Sequence, residues 1–122
     1  LRAMDIRIFQ LSDTIGVANP DNIAYLFGNL IDAYTDVEFG AHFHTVPHKW
    51  KEKVETAYRN GCRRFDGAIQ GYGGCPMAKD DLTGNMPTEN MVYFFEDEGA
   101  VTGVDLPLFA EAMAKAKDVF PH

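Results

Sequence analysis

Strand-like and helix-like segments alternate along this sequence, and that alternation narrows the possible folds more than any other feature. Asp5 to Ser12 (DIRIFQLS) is rich in β-formers and runs into the Asp13-Thr14-Ile15-Gly16 turn region, so it reads as a strand. Asn19-Pro20 supplies an N-cap and a proline for the first helical position, after which Ile23, Phe27, Leu30, Ile31 and Tyr34 recur at helical spacing. Val37 to His44 (VEFGAHFH) is a second strand. Pro47 opens a helix with Trp50, Val54, Ala57 and Tyr58 on one face, closed by Asn60-Gly61. Arg63 to Ile69 (RRFDGAI) is a third strand, followed by the glycine-rich run Gln70 to Pro76 and a polar loop to Asn85. Two helices after Pro87-Thr88 and Asp105 finish the chain.

Strands and helices in this order form parallel βαβ units with right-handed crossovers, so the fold class is α/β. Three strands are too few for a covered parallel sheet, and a whole (β/α)8 TIM barrel takes about 250 residues. The 122 residues therefore read as one partial barrel of about three βα units plus C-terminal helices. A flavodoxin-like domain suits the length, but its two further strands are not found.

Composition removes several function classes. The longest purely apolar stretch, Met91 to Phe95, is about five residues, far short of the roughly 18 that span a bilayer. Eleven Lys and Arg against 18 Asp and Glu give a net charge of −7, which argues against a nucleic-acid partner. Two cysteines make no disulfide framework, and no targeting segment is visible, so the expected location is a reducing, cytoplasmic compartment of bacterial type.

The chemistry-bearing residues gather at C-terminal strand ends, where a barrel builds its active site. In His42-Phe43-His44, period-two alternation puts both imidazoles on one face, which suits a metal or, equally, a hydrogen-bonded polar rim. His48 follows closely. Cys75, in Gly73-Gly74-Cys75-Pro76, is placed to present a thiol at the barrel mouth, whereas Cys62 fits a buried structural role. Asn85 can offer an amide oxygen to a cation or stabilise a turn. Asp13 can serve the site or fold back on local amides. Asp66 points into the lumen or toward a helix.

On these residues the sequence resembles the hydroxymethylglutaryl-CoA lyases of the DRE-TIM metallolyase superfamily, from Gln10 to about Leu108. The anchors are Ser12 to Val17 (SDTIGV), His42-Phe43-His44-Thr45, Gly71 to Ala78 (GYGGCPMA), and Thr83-Gly84-Asn85 with Thr88-Glu89. The resemblance implies metal-dependent cleavage of hydroxymethylglutaryl-CoA to acetyl-CoA and acetoacetate, the substrate being an acyl-CoA and the cofactor Mg²⁺ or Mn²⁺. It implies that His42, His44 and Asn85 ligate the metal and that His42 also assists proton transfer. Cys75, on a loop with Gly73 and Gly74 that closes over the substrate, would take part in protonating the product carbanion equivalent, and Asp13 would support the metal-bound hydroxyl.

The sequence departs from the family at Gln10, where a serine is common, at Thr45, where an acidic residue is usual, and in a Cys75-to-Asn85 loop one residue longer than in the animal enzymes. The family's Arg-Asp pair and a glutamate, carried on earlier strands, are not found. Residues 1–122 therefore resemble the C-terminal portion of the barrel domain, inactive alone and expected either to form homo-oligomers or to pair with a missing N-terminal half. The alternatives are an aldolase or Claisen-type synthase of the same superfamily, or a non-catalytic half-barrel.

Overall fold

Prolines and polar caps decide where the helices begin. In the computed structural model, which describes residues 1–74 and 82–120, Asn19 accepts the N–H of Asn22 while the Asn22 side chain accepts the N–H of Asn19, and Pro20 opens α1 (Pro20–Ala33). A 3₁₀ turn over Pro47–Lys49 leads into α2 (Trp50–Arg59). Pro87 precedes α3 (Thr88–Asp97), and Asp105 caps α4 (Leu106–Val119) by accepting the Leu108 N–H.

The strands are β1 (Ile8–Asp13), β2 (Glu38–Thr45), β3 (Arg64–Phe65) and β4 (Gly84–Asn85). β1, β2 and β3 lie side by side in parallel, as expected. The third strand is much shorter than the expected Arg63 to Ile69, because Gly67 and a 3₁₀ turn at Ile69–Gly71 bend the chain away. Gln70 sits in the left-handed region at φ 60°, with the Glu89 carboxylate accepting its N–H at 3.0 Å. β4 was not expected: it pairs antiparallel with the end of β2, setting His44 opposite Asn85.

One sheet face packs on helices. Phe43 meets Phe27 of α1 edge to face at 6.0 Å, and Phe39, Ala41, Val54 and Ala57 are buried with them. Phe27 is 2% exposed, so Phe27→Ala should cost about 3–5 kcal/mol, measurable as a lower urea midpoint. The opposite face carries Ile8 with Gln10, Ser12, Glu38, His42, His44, Arg64 and Asp66, which follows from the registers Ile8↔Glu38, Ser12↔His42 and Gly40↔Arg64. Apart from Ile8, the inward face is thus polar, not the apolar surface that a generic barrel interior suggests.

Cys62 occupies the structural place expected of it. Its thiol is buried and contacts the carbonyl of Arg64 at 3.3 Å, and burial pushes it up to about 11. Because this value lies above the 9.0 of a free thiol, its contribution to stability is intact at neutral pH and is lost as pH rises through about 11. Urea midpoints should fall over that window in the parent and fall less in Cys62→Ala.

Candidate active site

Strand parity assembles the site. His42 and His44 project from one face of β2 with ring centroids 5.4 Å apart. His44 is 7% exposed, and its Nδ1 is buried without a hydrogen-bond partner among the described residues. A native protein seldom leaves such an atom unpaired unless something binds there. The antiparallel step from β2 to β4 then delivers Asn85 beside His44, on the same face. The Asn85 NH₂ donates to the Tyr72 carbonyl at 2.9 Å, so the amide oxygen is the atom it can offer a cation.

Asp66 points to the lumen, the first of its two expected directions. Its N–H donates to Ala41, which fixes its parity with His42, and its Oδ2 lies 3.4 Å from His42 Nδ1. A carboxylate on one imidazole nitrogen directs the other nitrogen to a ligand. This partner compensates for Thr45, whose hydroxyl donates to the Val46 carbonyl and reaches neither ring. Beside the pair opens a cavity of about 660 Å³ lined by His42, Asp66, Gly67, Thr88 and Met91 among others, a volume in the range of small-molecule sites.

Not every expected residue joins them. Asp13 pairs in register with Phe43 on the helix-facing side, and its carboxylate accepts the N–H groups of Val17 (2.9 Å) and Ala18 (3.0 Å) and receives Lys53 Nζ at 3.2 Å. It folds back on local amides rather than facing the histidines. His48 lines a separate cleft with Ile15, Gly16 and Thr83. Cys75 lies outside the described residues. The glycines before it are tightly placed: Gly73 has φ +86°, a Cβ there would stand 2.9 Å from Asn85 Nδ2, and one on Gly74 would stand 2.6 Å from the Thr83 carbonyl oxygen. The loop stem therefore rests on the strand that carries Asn85.

Among the described residues no three His, Cys, Asp or Glu side chains converge. Two imidazoles and an amide oxygen on one polar face are donors that a divalent cation can accept.

Residues 1–115 match the HMGL-like family. The chain belongs to that family. An (R)-citramalyl-CoA lyase of Chloroflexus aurantiacus is 36% identical over 96 residues, covering 79% of this chain and 30% of that protein. A hydroxymethylglutaryl-CoA lyase of Pseudomonas mevalonii is 36% identical over 101 residues, covering 83% and 33%. The solved HMG-CoA lyase of Bacillus subtilis superposes with a TM-score of 0.78 at 32% identity, over 89% of this chain and 36% of that one. The fold is accordingly part of the α/β barrel of HMG-CoA lyases, and the HMGL-like chain spans about a third of the length of these relatives. Among its described residues no helix is long and apolar enough to cross a membrane.

Two features beside the histidines escaped the sequence reading. The parity of Asp66 depends on the β2–β3 register, which composition does not encode. Lys53 had a usable signal: it falls on the α2 arc of Trp50, Val54 and Ala57 and is 2% exposed.

Proposed function

We propose that this HMGL-like chain carries the metal-ligand half of an acyl-CoA lyase that cleaves hydroxymethylglutaryl-CoA to acetyl-CoA and acetoacetate. The observation that carries the reading is the meeting of His42, His44 and Asn85 on one face through the β2–β4 register. His42, His44 and the Asn85 amide oxygen would hold Mg²⁺ or Mn²⁺. The metal supplies Lewis acidity that makes the substrate's tertiary hydroxyl easier to deprotonate. His42 would assist removal of the hydroxyl proton, with the Asp66 carboxylate 3.4 Å from its Nδ1 available to take the proton up. The carbon-carbon bond breaks, its electron pair passes to the acyl-CoA α-carbon, and the hydroxyl carbon becomes the acetoacetate ketone. Cys75 then protonates that α-carbon. Asp13 is given a supporting role through its loop instead of contact with the substrate hydroxyl.

We read the residues named as those of the C-terminal portion of the barrel, whose remaining strands would have to be supplied by other sequence. Among the described residues β1 and β3 pair only with β2, so each keeps an open edge. Such edges recruit other strands. Sedimentation of this chain alone should show dimers or larger species, and a stable monomer of 13.6 kDa contradicts the open-edge reading.

A second substrate is favoured by one observation, the 36% identity to an (R)-citramalyl-CoA lyase. Acetyl-CoA release from each thioester, by a polypeptide that supplies all the strands, separates the two: we expect hydroxymethylglutaryl-CoA to be cleaved faster, and preference for citramalyl-CoA reassigns the substrate.

A further inference from the structure

The mechanism above leaves one buried ionisable group unused. Lys53, 2% exposed, sends Nζ to the His44 carbonyl at 2.8 Å, to Asp13 Oδ2 at 3.2 Å and to the Gly16 carbonyl at 3.2 Å. An ammonium has three donors, and all three are engaged. Its ion-pair partner is nearly as buried, with the Asp13 side chain 8% exposed. The three acceptors lie on three different stretches: the end of β1, the loop that follows it, and the end of β2. The loop is itself packed on the site, since a Cβ on Gly16 would lie 2.8 Å from Thr83 Cγ2 and 3.5 Å from the His44 carbonyl oxygen. Thr83 directly precedes β4, which bears Asn85.

We propose that Lys53 is a positioning residue for the metal site: its buried ammonium fixes the His44 backbone, and through the Gly16–Thr83 contact the approach of β4, so that His44 and Asn85 present their donors together. The inference rests on the assignment of His44 and Asn85 as metal ligands. Asp13 then serves the same purpose from the other side, as the counter-charge that keeps a cation in an apolar setting. A buried charge without its partner is strongly disfavoured, so the pair is a rigid strut rather than a surface ornament. Groups that orient ligands without touching the metal typically contribute 10–100-fold to metal affinity.

The test is Mn²⁺ titration followed by electron paramagnetic resonance on a parent polypeptide that supplies all the strands and on its Lys53→Met and Lys53→Arg variants, each under conditions where circular dichroism shows the protein fully folded. Lys53→Met should weaken Mn²⁺ binding by about 10-fold or more, and Lys53→Arg, which keeps the cation, should recover part of it. A purely structural Lys53 would lower the melting temperature and leave the affinity of the folded protein unchanged, and that result overturns the proposal. A second measurement needs no variant: saturating the parent with Mg²⁺ should shift the Lys53 ¹⁵Nζ resonance, because ligation of His44 alters the carbonyl that Lys53 holds. An unmoved resonance at saturation also overturns it. If the parent binds no Mn²⁺ at all, the ligand assignment fails and the inference falls with it, whereas normal binding by Lys53→Met defeats the inference alone.

Discussion

On the proposed function, alanine at position 44 is expected to lower metal affinity by more than about 100-fold and to remove nearly all turnover in a polypeptide that supplies all the strands. The loss should be selective. His44 Nδ1 makes no hydrogen bond among the described residues, so truncating the ring removes no polar support from the fold. The cost to folding is confined to the vacated volume of one buried side chain, and the two neighbouring β2 residues, Phe43 and Thr45, face the helices. Far-UV circular dichroism should thus be retained while Mn²⁺ binding is lost. His42→Ala should also weaken binding, but less, because His42 is 36% exposed and its loss is open to substitution by water. Equal Mn²⁺ affinity in His44→Ala and the parent would remove His44 from the ligand set.

Serine in place of Cys75 is expected to reduce kcat by about 10²–10⁴-fold with metal affinity nearly unchanged. A hydroxyl is a far weaker acid than a thiol, so the α-carbon loses its proton donor while the loop keeps its shape. The position of Cys75 in the chain ties this effect to the site: it follows Gly73 and Gly74, and the carbonyl of Gly73 accepts the Asn85 N–H at 3.0 Å. Cys62→Ser tests the distinction between the two thiols. Cys62 is buried against Phe39 and Arg64 and should affect stability alone. Steady-state kinetics with parallel Mn²⁺ titration decides, and parent-like kcat in Cys75→Ser would sink the proton-donor role.

The strong local signals were legible in the sequence. Asn19-Pro20 and Asp105 begin helices because caps and prolines act within one turn, and His42-Phe43-His44 shares a face because strand parity needs only the strand itself. What escaped depends on register and on contacts distant in sequence. Asp66 faces His42 only because β3 pairs with β2 at Gly40↔Arg64, and Asn85 meets His44 only through a two-residue strand too short to carry a pattern. Asp13 sits one residue out of phase with Ser12, the β1 residue on the His42 side, and that single step sends its carboxylate to Lys53. The resemblance implies that Asp13 supports the metal-bound hydroxyl, and in the fold its carboxylate accepts the Val17 and Ala18 N–H groups and pairs with Lys53. The polar inward face follows from the same parity and accounts for why this segment reads as less apolar than a filled barrel core.

The central claim is that His42, His44 and Asn85 are co-ligands of one divalent ion. Crystals of a polypeptide that combines this chain with the remaining strands of such a barrel, soaked in Mn²⁺, would test it by anomalous diffraction. The account predicts one peak bonded to an imidazole nitrogen of each histidine and to Asn85 Oδ1, at roughly 2.0–2.3 Å. A peak held by Asp13, or one that leaves either histidine or Asn85 outside bonding distance, would contradict it.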